Sequence, residues 1–331
     1  MALDRREFIT LAGTVLASCP SVARAQASSH VRTIAVLMGL ADDDEAKRRL
    51  EVFEEGLESK GWIVGENLRI VDRYSGGDPK LMHKFATELV AFHPDGIVAH
   101  STPVAAALMQ ATKTIPIVFV SVTDPISSGF VKNIAHPGGN ATGFTILEAT
   151  ITGKYLSMLQ EITPHISRVA IVYNPQSAPG AGTLFLQPFI EAAKEFKIKP
   201  IVAQVHNENE IQDAMSTLAS ADSGLIVMPD NFTTLHRKQF ISLAAKLKVP
   251  AIYPYKYFAE EGGLLAYGVD ALDLFRRASD YISRILNGAA PATLPVQAPT
   301  KFELVINLKT AKNLGINIPR TLLAEADALI E

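Results

Sequence analysis

The sequence predicts an α/β protein made of two doubly wound, parallel-sheet lobes joined by a multi-strand hinge. Three observations support this fold class. Short β-branched runs alternate with helical patterns, and this alternation occurs twice along the chain. The ~305 residues that follow a predicted leader also exceed the size that one hydrophobic core usually supports.

Residues 1–27 have the composition of an export leader. The pair Arg5-Arg6 precedes an apolar run, 11–17, that is too short to span a bilayer, and a small-x-small cleavage site follows at 23–25. The Arg-Arg-x-Phe-Ile pattern is similar to the bacterial twin-arginine signal; an ordinary secretory leader with two arginines is the alternative. We therefore expect the mature protein to lie outside the cytoplasm.

Cys19 is the only cysteine of the chain. With the preceding Leu16-Ala17-Ser18 it also fits a lipobox, which would attach the protein to a membrane through a lipid. The separate cleavage site at 23–25 favours simple cleavage instead. The mature domain then contains no disulfide and no thiolate nucleophile or metal ligand.

Composition excludes several classes of protein. Charged residues make up 20 % of the chain and nearly cancel to a net charge of −3, so no basic field for nucleic acid is present. No stretch after the leader approaches the ~20 apolar residues of a membrane-spanning helix. Repeats of about 20–50 residues, which would indicate a solenoid, are absent.

The first half of the chain alternates strands and helices. The strand patterns cover 33–38, 68–71, 96–99 and 116–120, and helical patterns lie around 43–60, 79–92 and 103–112. The alternation restarts at Arg168, with strand patterns at 168–173, 200–203, 224–228 and 250–253 and helical patterns near 181–196, 208–220 and 232–247. Such alternation forms βαβ units, so each half predicts a parallel sheet.

The end of the chain breaks this pattern. A helix over 272–285 ends at Asn287-Gly288, and an extended stretch, 291–299, leads to a strand at 302–307. We expect the chain to cross between lobes at 142–145, 265–268 and 296–302, which would make a hinge that closes on a small ligand. The expected lobes are 31–145 with about 270–298, and 146–269 with about 299–331.

Several segments carry a resemblance to a known family. They are IPIVFV at 115–120, TDP at 123–125, HPGGNATGFT at 136–145, the stretch 254–268 and PTKFELVINLKTA at 299–311. These segments resemble the bacterial ABC-transporter substrate-binding proteins, the family that includes tryptophan-binding members, and the similarity runs over essentially all of 31–331. It implies the type I periplasmic-binding-protein fold, a periplasmic location and uptake of small organic solutes, of which amino acids are the best-supported class.

Ligands of open α/β sheets bind beyond the carboxyl ends of the strands, where loop N–H groups and helix N-termini are free. Five loops meet this description: 39–41, 100–103, 121–125, 174–177 and 229–232. The candidate ligand-binding residues are Gly39, Leu40, Ser101, Thr102, Ser121, Thr123, Asp124, Asn174 and Asp230, with Tyr255 and Tyr267 as aromatic walls.

Each candidate has a structural alternative. Ser101 and Thr102 precede a proline and could cap their own helix instead of pointing at a carboxylate. Asp124, the main candidate for binding an ammonium or hydroxyl group, and Asp230 could instead cap a helix or form an Asx-turn. The aromatic residues of 253–258 could fill the core between the lobes.

The sequence does not favour an enzyme. The eight histidines are scattered without metal-ligand spacing, and no nucleophile elbow, phosphate loop or dinucleotide fingerprint is present, so no metal or cofactor is expected. His100 ends a predicted strand at the cleft, where a structural imidazole is the alternative to a ligand contact. Acidic residues at 42–45 are expected to begin a helix.

The expected protein is a monomeric solute receptor that binds an amino acid or related carboxylate and presents it to an ABC permease of the inner membrane. Aromatic and branched amino acids, related carboxylates and purine-like solutes all stay open as the ligand. Surface residues around 42–49 and 176–183 are expected to face the permease. The alternatives are a receptor that signals to a membrane kinase and, less favoured, a secreted α/β hydrolase.

Overall fold

Two β-sheets organise the part of the chain that the computed structural model describes, residues 31–146 and 150–331. The predicted leader, with its arginine pair and Cys19, lies outside the described residues. None of the helices in the described ranges has the length and apolar character needed to cross a bilayer. The segment Arg32–Glu331 forms one compact unit.

The first sheet has five parallel strands in the order β2-β1-β3-β4-β5. The strands are β1 (Arg32–Met38), β2 (Leu68–Tyr74), β3 (Gly96–His100), β4 (Ile117–Val122) and β5 (Ala141–Thr145). The helices between them are α1 (Asp44–Glu58), α2 (Pro79–Ala91) and α3 (Thr102–Ala111). These bounds agree closely with the predicted elements of the first half.

The second sheet has seven strands in the order β12-β11-β10-β9-β8-β6-β7. The strands are β6 (Arg168–Tyr173), β7 (Lys199–Gln204), β8 (Ser223–Val227), β9 (Ala251–Tyr253), β10 (Leu265–Val269), β11 (Phe302–Asn307) and β12 (Ala328–Ile330). The helices are α4 (Ile151–Ile162), α5 (Thr183–Glu195), α6 (Glu208–Ser216), α7 (Asn231–Leu235), α8 (Arg237–Leu247), α9 (Lys256–Glu260), α10 (Ala271–Leu286), α11 (Leu308–Leu314) and α12 (Arg320–Glu325). Short 3₁₀ turns cover Pro179–Gly182 and Pro291–Thr293.

Both sheets are covered by helices on both faces, which confirms the doubly wound α/β class. In β1, Val36 packs with Phe53 of α1, whereas its neighbour Leu37 packs with Met82 of α2 on the opposite face. In β6, Ile171 and Val172 likewise belong to different apolar clusters. Strands buried on both faces account for the nearly continuous apolar runs in the sequence.

The chain passes between the sheets at the ends of strands rather than within them. The predicted crossing segments 142–145 and 265–268 lie in β5 of the first sheet and β10 of the second. After β10 the chain forms α10, which packs on α1 and the first sheet, and then returns to the second sheet as β11. The chain leaves the second sheet after Val269 and returns beside it at Phe302, so β11 runs antiparallel to β10. This pair is an exception to the predicted parallel sheet.

Hydrogen bonds join the connecting segments to one another. Thr145 N donates to the carbonyl of Gln297 at 2.9 Å, and Asp270 N donates to the carbonyl of Lys301 at 3.1 Å. The segments that link the lobes therefore run side by side, as a hinge requires. The lobe boundaries at 145, 270 and 298 stay predictions.

Candidate ligand-binding site

A cavity lies between the two lobes at the carboxyl ends of their strands. Its volume is about 30 Å³, room for roughly one or two water molecules, so the lining side chains of the two lobes lie close together. Its lining is Leu40, Arg49, His100, Ser101, Thr102, Pro103, Ser121, Thr123 and Ile146 from the first half of the chain, and Ser177, Pro229, Asp230, Asn231, Thr234, Tyr255 and Tyr257 from the second.

Two lining residues, Ser101 and Ser121, have a left-handed backbone. Their φ angles are 86° and 60°, a conformation that costs a non-glycine residue about 1–3 kcal/mol and is concentrated at functional sites. Ser121 lies where the pairing of β4 with β5 shifts between Phe119 and Val122. Such a bulge changes the direction of a side chain beside a site.

Ser101 connects the two lobes. Although it precedes α3, its hydroxyl makes no capping bond to that helix; it accepts a hydrogen bond from Asn231 Nδ2 of the second lobe at 3.1 Å. Gly39 makes room for this contact, because a Cβ there would lie 2.6 Å from Ser101 Oγ and 2.7 Å from Asn231 Nδ2. The structure thus has its lobes in contact across the cavity.

Thr102 likewise does not cap α3. Its hydroxyl accepts a hydrogen bond from the backbone N of Thr123 at 3.2 Å, which joins the loops after β3 and β4. The capping alternative for Ser101 and Thr102 is therefore not the arrangement in the structure. Both side chains instead fix the first-lobe wall of the cavity.

Asp230 lines the second-lobe wall and is buried. Its carboxylate accepts hydrogen bonds from Asn174 N at 2.9 Å, Ser177 Oγ at 2.9 Å and Thr233 N at 2.8 Å. Burial raises the pKa of Asp230 to about 6, although these donors favour the ionised form. The N-cap alternative for Asp230 is thus present in the structure together with its place in the cavity wall.

Arg49 of α1 reaches into the cavity from the first lobe and is 1 % exposed. Its Nε donates to Glu45 at 3.0 Å, and its Nη1 lies 2.8 Å from His100 Nε2. From the second lobe, the rings of Tyr255 and Tyr257 lie 5.7 and 5.8 Å from the guanidinium carbon. These distances allow cation–π attraction across the cavity.

The two tyrosines form a flat aromatic wall. Their rings stack with centroids 5.5 Å apart and an interplanar angle of 13°. Burial raises the pKa of Tyr255 to about 12 and also raises the pKa of Tyr257, so both hydroxyls stay protonated. An aromatic or aliphatic ligand could pack against this surface.

His100 is neutral in this setting. Its Nε2 faces Arg49 Nη1, and its Nδ1 lies 3.3 Å from the backbone N of Gly39. A neutral ring has one lone pair for these two donors, whereas a protonated ring has none. Burial and then the charge of Arg49 lower the pKa of His100 well below its usual value.

An ion pair connects the lobes beside the cavity. Arg237 Nη2 of α8 lies 3.1 Å from Asp43 Oδ2, the N-cap of α1, and its Nε lies 2.8 Å from Glu261 of its own lobe. As predicted, the acidic segment around Asp43 begins a helix, because the Asp43 carboxylate accepts from Ala46 N. The cap of α1 therefore also contributes to the contact between lobes.

The structure brings together most of the predicted site residues. The cavity is lined by Leu40, Ser101, Thr102, Ser121, Thr123, Asp230 and Tyr255, and Gly39 borders it. Contact of these residues with a ligand stays a prediction.

Three predicted residues do not line the cavity. The Asp124 carboxylate accepts from Ile126 N and Ser127 N, the turn described as its alternative. Asn174 closes a similar turn through Gln176 N and Ser177 N. Tyr267 stacks on Phe302, 5.9 Å away between ring centroids, in the core of the second lobe.

The sequence interpretation missed Arg49, Asn231, Tyr257 and Thr234. Arg49 falls in the segment 42–49 that was expected to face a permease, yet its guanidinium is buried. The sequence feature that could have identified Arg49 is its i, i+4 spacing from Glu45, which places a carboxylate beside the guanidinium on one helix face. Asn231 directly follows Asp230 in the loop 229–232, one of the five loops predicted at the cleft.

Within the described residues, no group of three or more His, Cys, Asp or Glu side chains could hold a metal ion. The cavity wall offers hydroxyls, one amide, one guanidinium, one imidazole, one carboxylate and two phenols. This set can bind a small polar organic molecule with an apolar part.

Residues 33–330 match the model of a family described as ABC transporter substrate binding protein. A tyrosine-binding protein of Clostridioides difficile is 28 % identical over 273 residues, which cover 82 % of this chain and 77 % of that protein.

Solved structures show the same similarity. A Streptococcus pneumoniae protein in complex with L-Trp is 27 % identical, with a TM-score of 0.83 over 90 % of this chain and 99 % of that one. A ligand-free, open substrate-binding protein with adhesive properties from Clostridium difficile is 25 % identical, with a TM-score of 0.68 over 91 % of this chain and 99 % of that one.

The two-lobed architecture is that of type I periplasmic binding proteins, as the sequence resemblance implied. The family match over 33–330, the relatives above and the cavity between two lobes all agree. The chain therefore belongs to the ABC transporter substrate-binding protein family, whose members bind small-molecule solutes and work with ABC permeases.

Proposed function

We propose that this protein is an extracytoplasmic receptor of an ABC importer and binds an amino acid or a related carboxylate in the cavity between its lobes. The observation that carries the proposal is the composition of the cavity wall. It combines a stacked tyrosine pair with a buried guanidinium and a buried carboxylate, contributed by both lobes. An amino acid offers matching parts: an apolar or aromatic side chain, an anion and a cation.

The relatives support the same class of ligand. One is named for tyrosine binding and another was solved with L-Trp. The stacked rings of Tyr255 and Tyr257 provide a surface on which an aromatic side chain packs well. Aromatic amino acids are therefore the first ligands to test, followed by branched ones.

Binding in this cavity would favour the closed arrangement of the lobes. The lining comes from both lobes, so a ligand makes all its contacts only when they are together. A ligand shifts an equilibrium by its difference in affinity for the two states. The closed form would then be the one presented to a permease, and we propose that it does so as a monomer and without chemical change to the ligand.

Thermal-shift screening of the purified protein against the twenty amino acids and a set of sugars, followed by calorimetric titration of the hits, tests this proposal. We expect saturable binding of one amino acid per chain, and recovery of that amino acid unchanged after incubation. Catalytic consumption of the compound, or binding of sugars with no response to any amino acid, would contradict the proposal.

A further inference from the structure

We propose that Arg49 is the anion anchor of the cavity: its free Nη2 binds the carboxylate of the ligand, so the site selects carboxylates over the corresponding amines. This inference rests on the proposed function and adds to it the chemical group by which the ligand is held. It assigns a residue that the sequence had placed on the surface.

The guanidinium of Arg49 has one unsatisfied nitrogen. Nε is bound to Glu45 and Nη1 to His100, while Nη2 is buried and has no hydrogen-bond partner among the described residues. A buried donor without an acceptor destabilises the folded state, and more so when the group is charged. Arginine cannot remove this cost by losing its proton. An acceptor supplied by a ligand in the adjoining cavity would remove it.

Charge favours an anion at this position. Arg49 is the cationic residue of the lining, since His100 is held neutral. Asp230, the acidic residue of the lining, already accepts three hydrogen bonds from protein donors, so it is not a free partner for Arg49. The strongest unmet interaction in the cavity is therefore that of a guanidinium N–H with an anionic oxygen.

The balance of charges also limits how much negative charge the ligand carries. Arg49 is opposed by Glu45, and Asp230 adds a second carboxylate, so the three groups sum to −1 when all are ionised. A dianion such as a phosphate monoester would add strong repulsion in a buried site. A single carboxylate, accompanied in an amino acid by an ammonium group, fits this balance.

Arg49 is well placed to connect ligand binding with closure. Its guanidinium is held from the first lobe by Glu45 and His100 and is faced from the second lobe by the two tyrosine rings. A carboxylate on Nη2 would bind a group that already touches both lobes. Ligands without the carboxylate would leave that nitrogen unpaired in the closed state.

Calorimetric titration with matched pairs of compounds tests the proposal: L-tyrosine with tyramine, L-tryptophan with tryptamine, and L-leucine with isopentylamine. Each amine keeps the side chain and the nitrogen but lacks the carboxylate. A hydrogen bond between charged groups contributes about 1.5–3 kcal/mol, so we expect the amine to bind at least about tenfold more weakly than its amino acid. Equal affinity within a pair would overturn the inference and leave the proposed function intact.

Two variants test whether Arg49 is the source of the selectivity for the carboxylate. Arg49→Met keeps the apolar stem and removes the donors, so the difference between amino acid and amine should fall to less than about threefold. Arg48→Met changes the exposed neighbour on the same helix and should keep the full difference. Selectivity that persists in folded Arg49→Met would overturn the inference. If the screen above identifies another amino acid, that amino acid and the amine that lacks its carboxylate form the pair to compare. If the unmodified protein binds no amino acid at all, the proposed function fails, and the inference with it.

Discussion

At the scale of single residues, the site depends on a buried polar group made of Glu45, Arg49 and His100. The Glu45 carboxylate accepts a hydrogen bond from Arg49 Nε, and the neutral imidazole of His100 faces Arg49 Nη1. Replacing one member of such a group leaves the others unpaired in a low-dielectric environment. The ionisation state of His100 is therefore a property that mutation and pH can test.

His100→Gln should change how stability depends on pH. The folded-state pKa of His100 lies well below the unfolded value of about 6.5, so between the two the unfolded chain binds a proton that the folded chain does not. Relative to the variant, the unmodified protein should lose up to about 1.4 kcal/mol of unfolding free energy per pH unit below pH ~6.5.

Urea denaturation of both proteins from about pH 7.5 to 5 measures this difference in unfolding free energy. Each unit by which the folded-state pKa lies below the unfolded value contributes ~1.36 kcal/mol to the total difference. The opposite contribution of Asp230, whose pKa is raised, is common to both and cancels. His83→Gln removes an exposed imidazole and controls for the substitution itself. A difference that does not vary with pH would show that His100 titrates alike in the folded and unfolded chains, and would contradict a lowered pKa.

Gly39→Ala should weaken ligand binding without weakening the fold. The new methyl group would displace Ser101 Oγ and Asn231 Nδ2, and the second of these is near only when the lobes are together. Loss of their hydrogen bond, about 0.5–1.5 kcal/mol, corresponds to about two- to twelvefold lower affinity in a titration. Gly139→Ala, with open space around its added methyl, is the matched control. Equal affinities of the two variants would count against closure at this contact.

Residue roles could be predicted from sequence only in part. The position after a strand predicted that Ser101 and Thr123 lie at one edge of the sheet, and both line the cavity there, because parallel strands end at the same edge. That they contact a ligand stays a prediction. Asp124 also follows a strand but is not among the residues that line the cavity, and its carboxylate accepts hydrogen bonds within its own turn. Arg49 was missed because burial of a charged helix residue depends on partners that are distant in sequence, here His100 and Tyr257.

At the scale of elements, α1 links the site to the contact between lobes. Its N-cap, Asp43, pairs with Arg237 of α8, and its second turn carries Arg49 into the cavity. Two turns further along the same buried face it packs closely on α10, where a Cβ at Gly56 would lie 2.2 Å from Ser279 Oγ. A helix fixed in this way can transmit ligand contacts to the edge of the cleft.

Arg237→Gln should lower ligand affinity by removing an ion pair that joins the lobes. Partly exposed pairs contribute about 0.2–1 kcal/mol, so we expect a loss of up to about fivefold at low salt. The difference should shrink at high salt, since screening weakens such pairs. Arg276→Gln, whose partner Asp273 lies on the same helix, should have no effect on titration. An Arg237 effect that is insensitive to salt would contradict the ionic explanation.

Most elements were predictable from local pattern, and the exceptions have physical causes. Strands such as β1 and β6 were found because burial on both faces requires long apolar runs. The direction of β11 was missed, since nothing in its sequence encodes that α10 packs on the other lobe before the chain returns. The helix predicted over 232–247 is divided at His236 into α7 and α8.

At the scale of the whole molecule, the relatives place this structure closer to a ligand-bound form than to an open one. At similar sequence identity, the TM-score is 0.83 with the L-Trp complex and 0.68 with the ligand-free open protein. Contacts across the cavity, such as Ser101 with Asn231, agree with this comparison. Two lobes that separate and close around one small molecule therefore form the central claim.

Small-angle X-ray scattering of the purified protein, with and without a saturating amino acid identified by titration, tests this claim most directly. We predict that the ligand-free protein scatters as a more extended particle and that the ligand reduces its radius of gyration to the value calculated for the closed structure. The same radius of gyration in both samples, with the ligand demonstrably bound, would contradict an account based on closure.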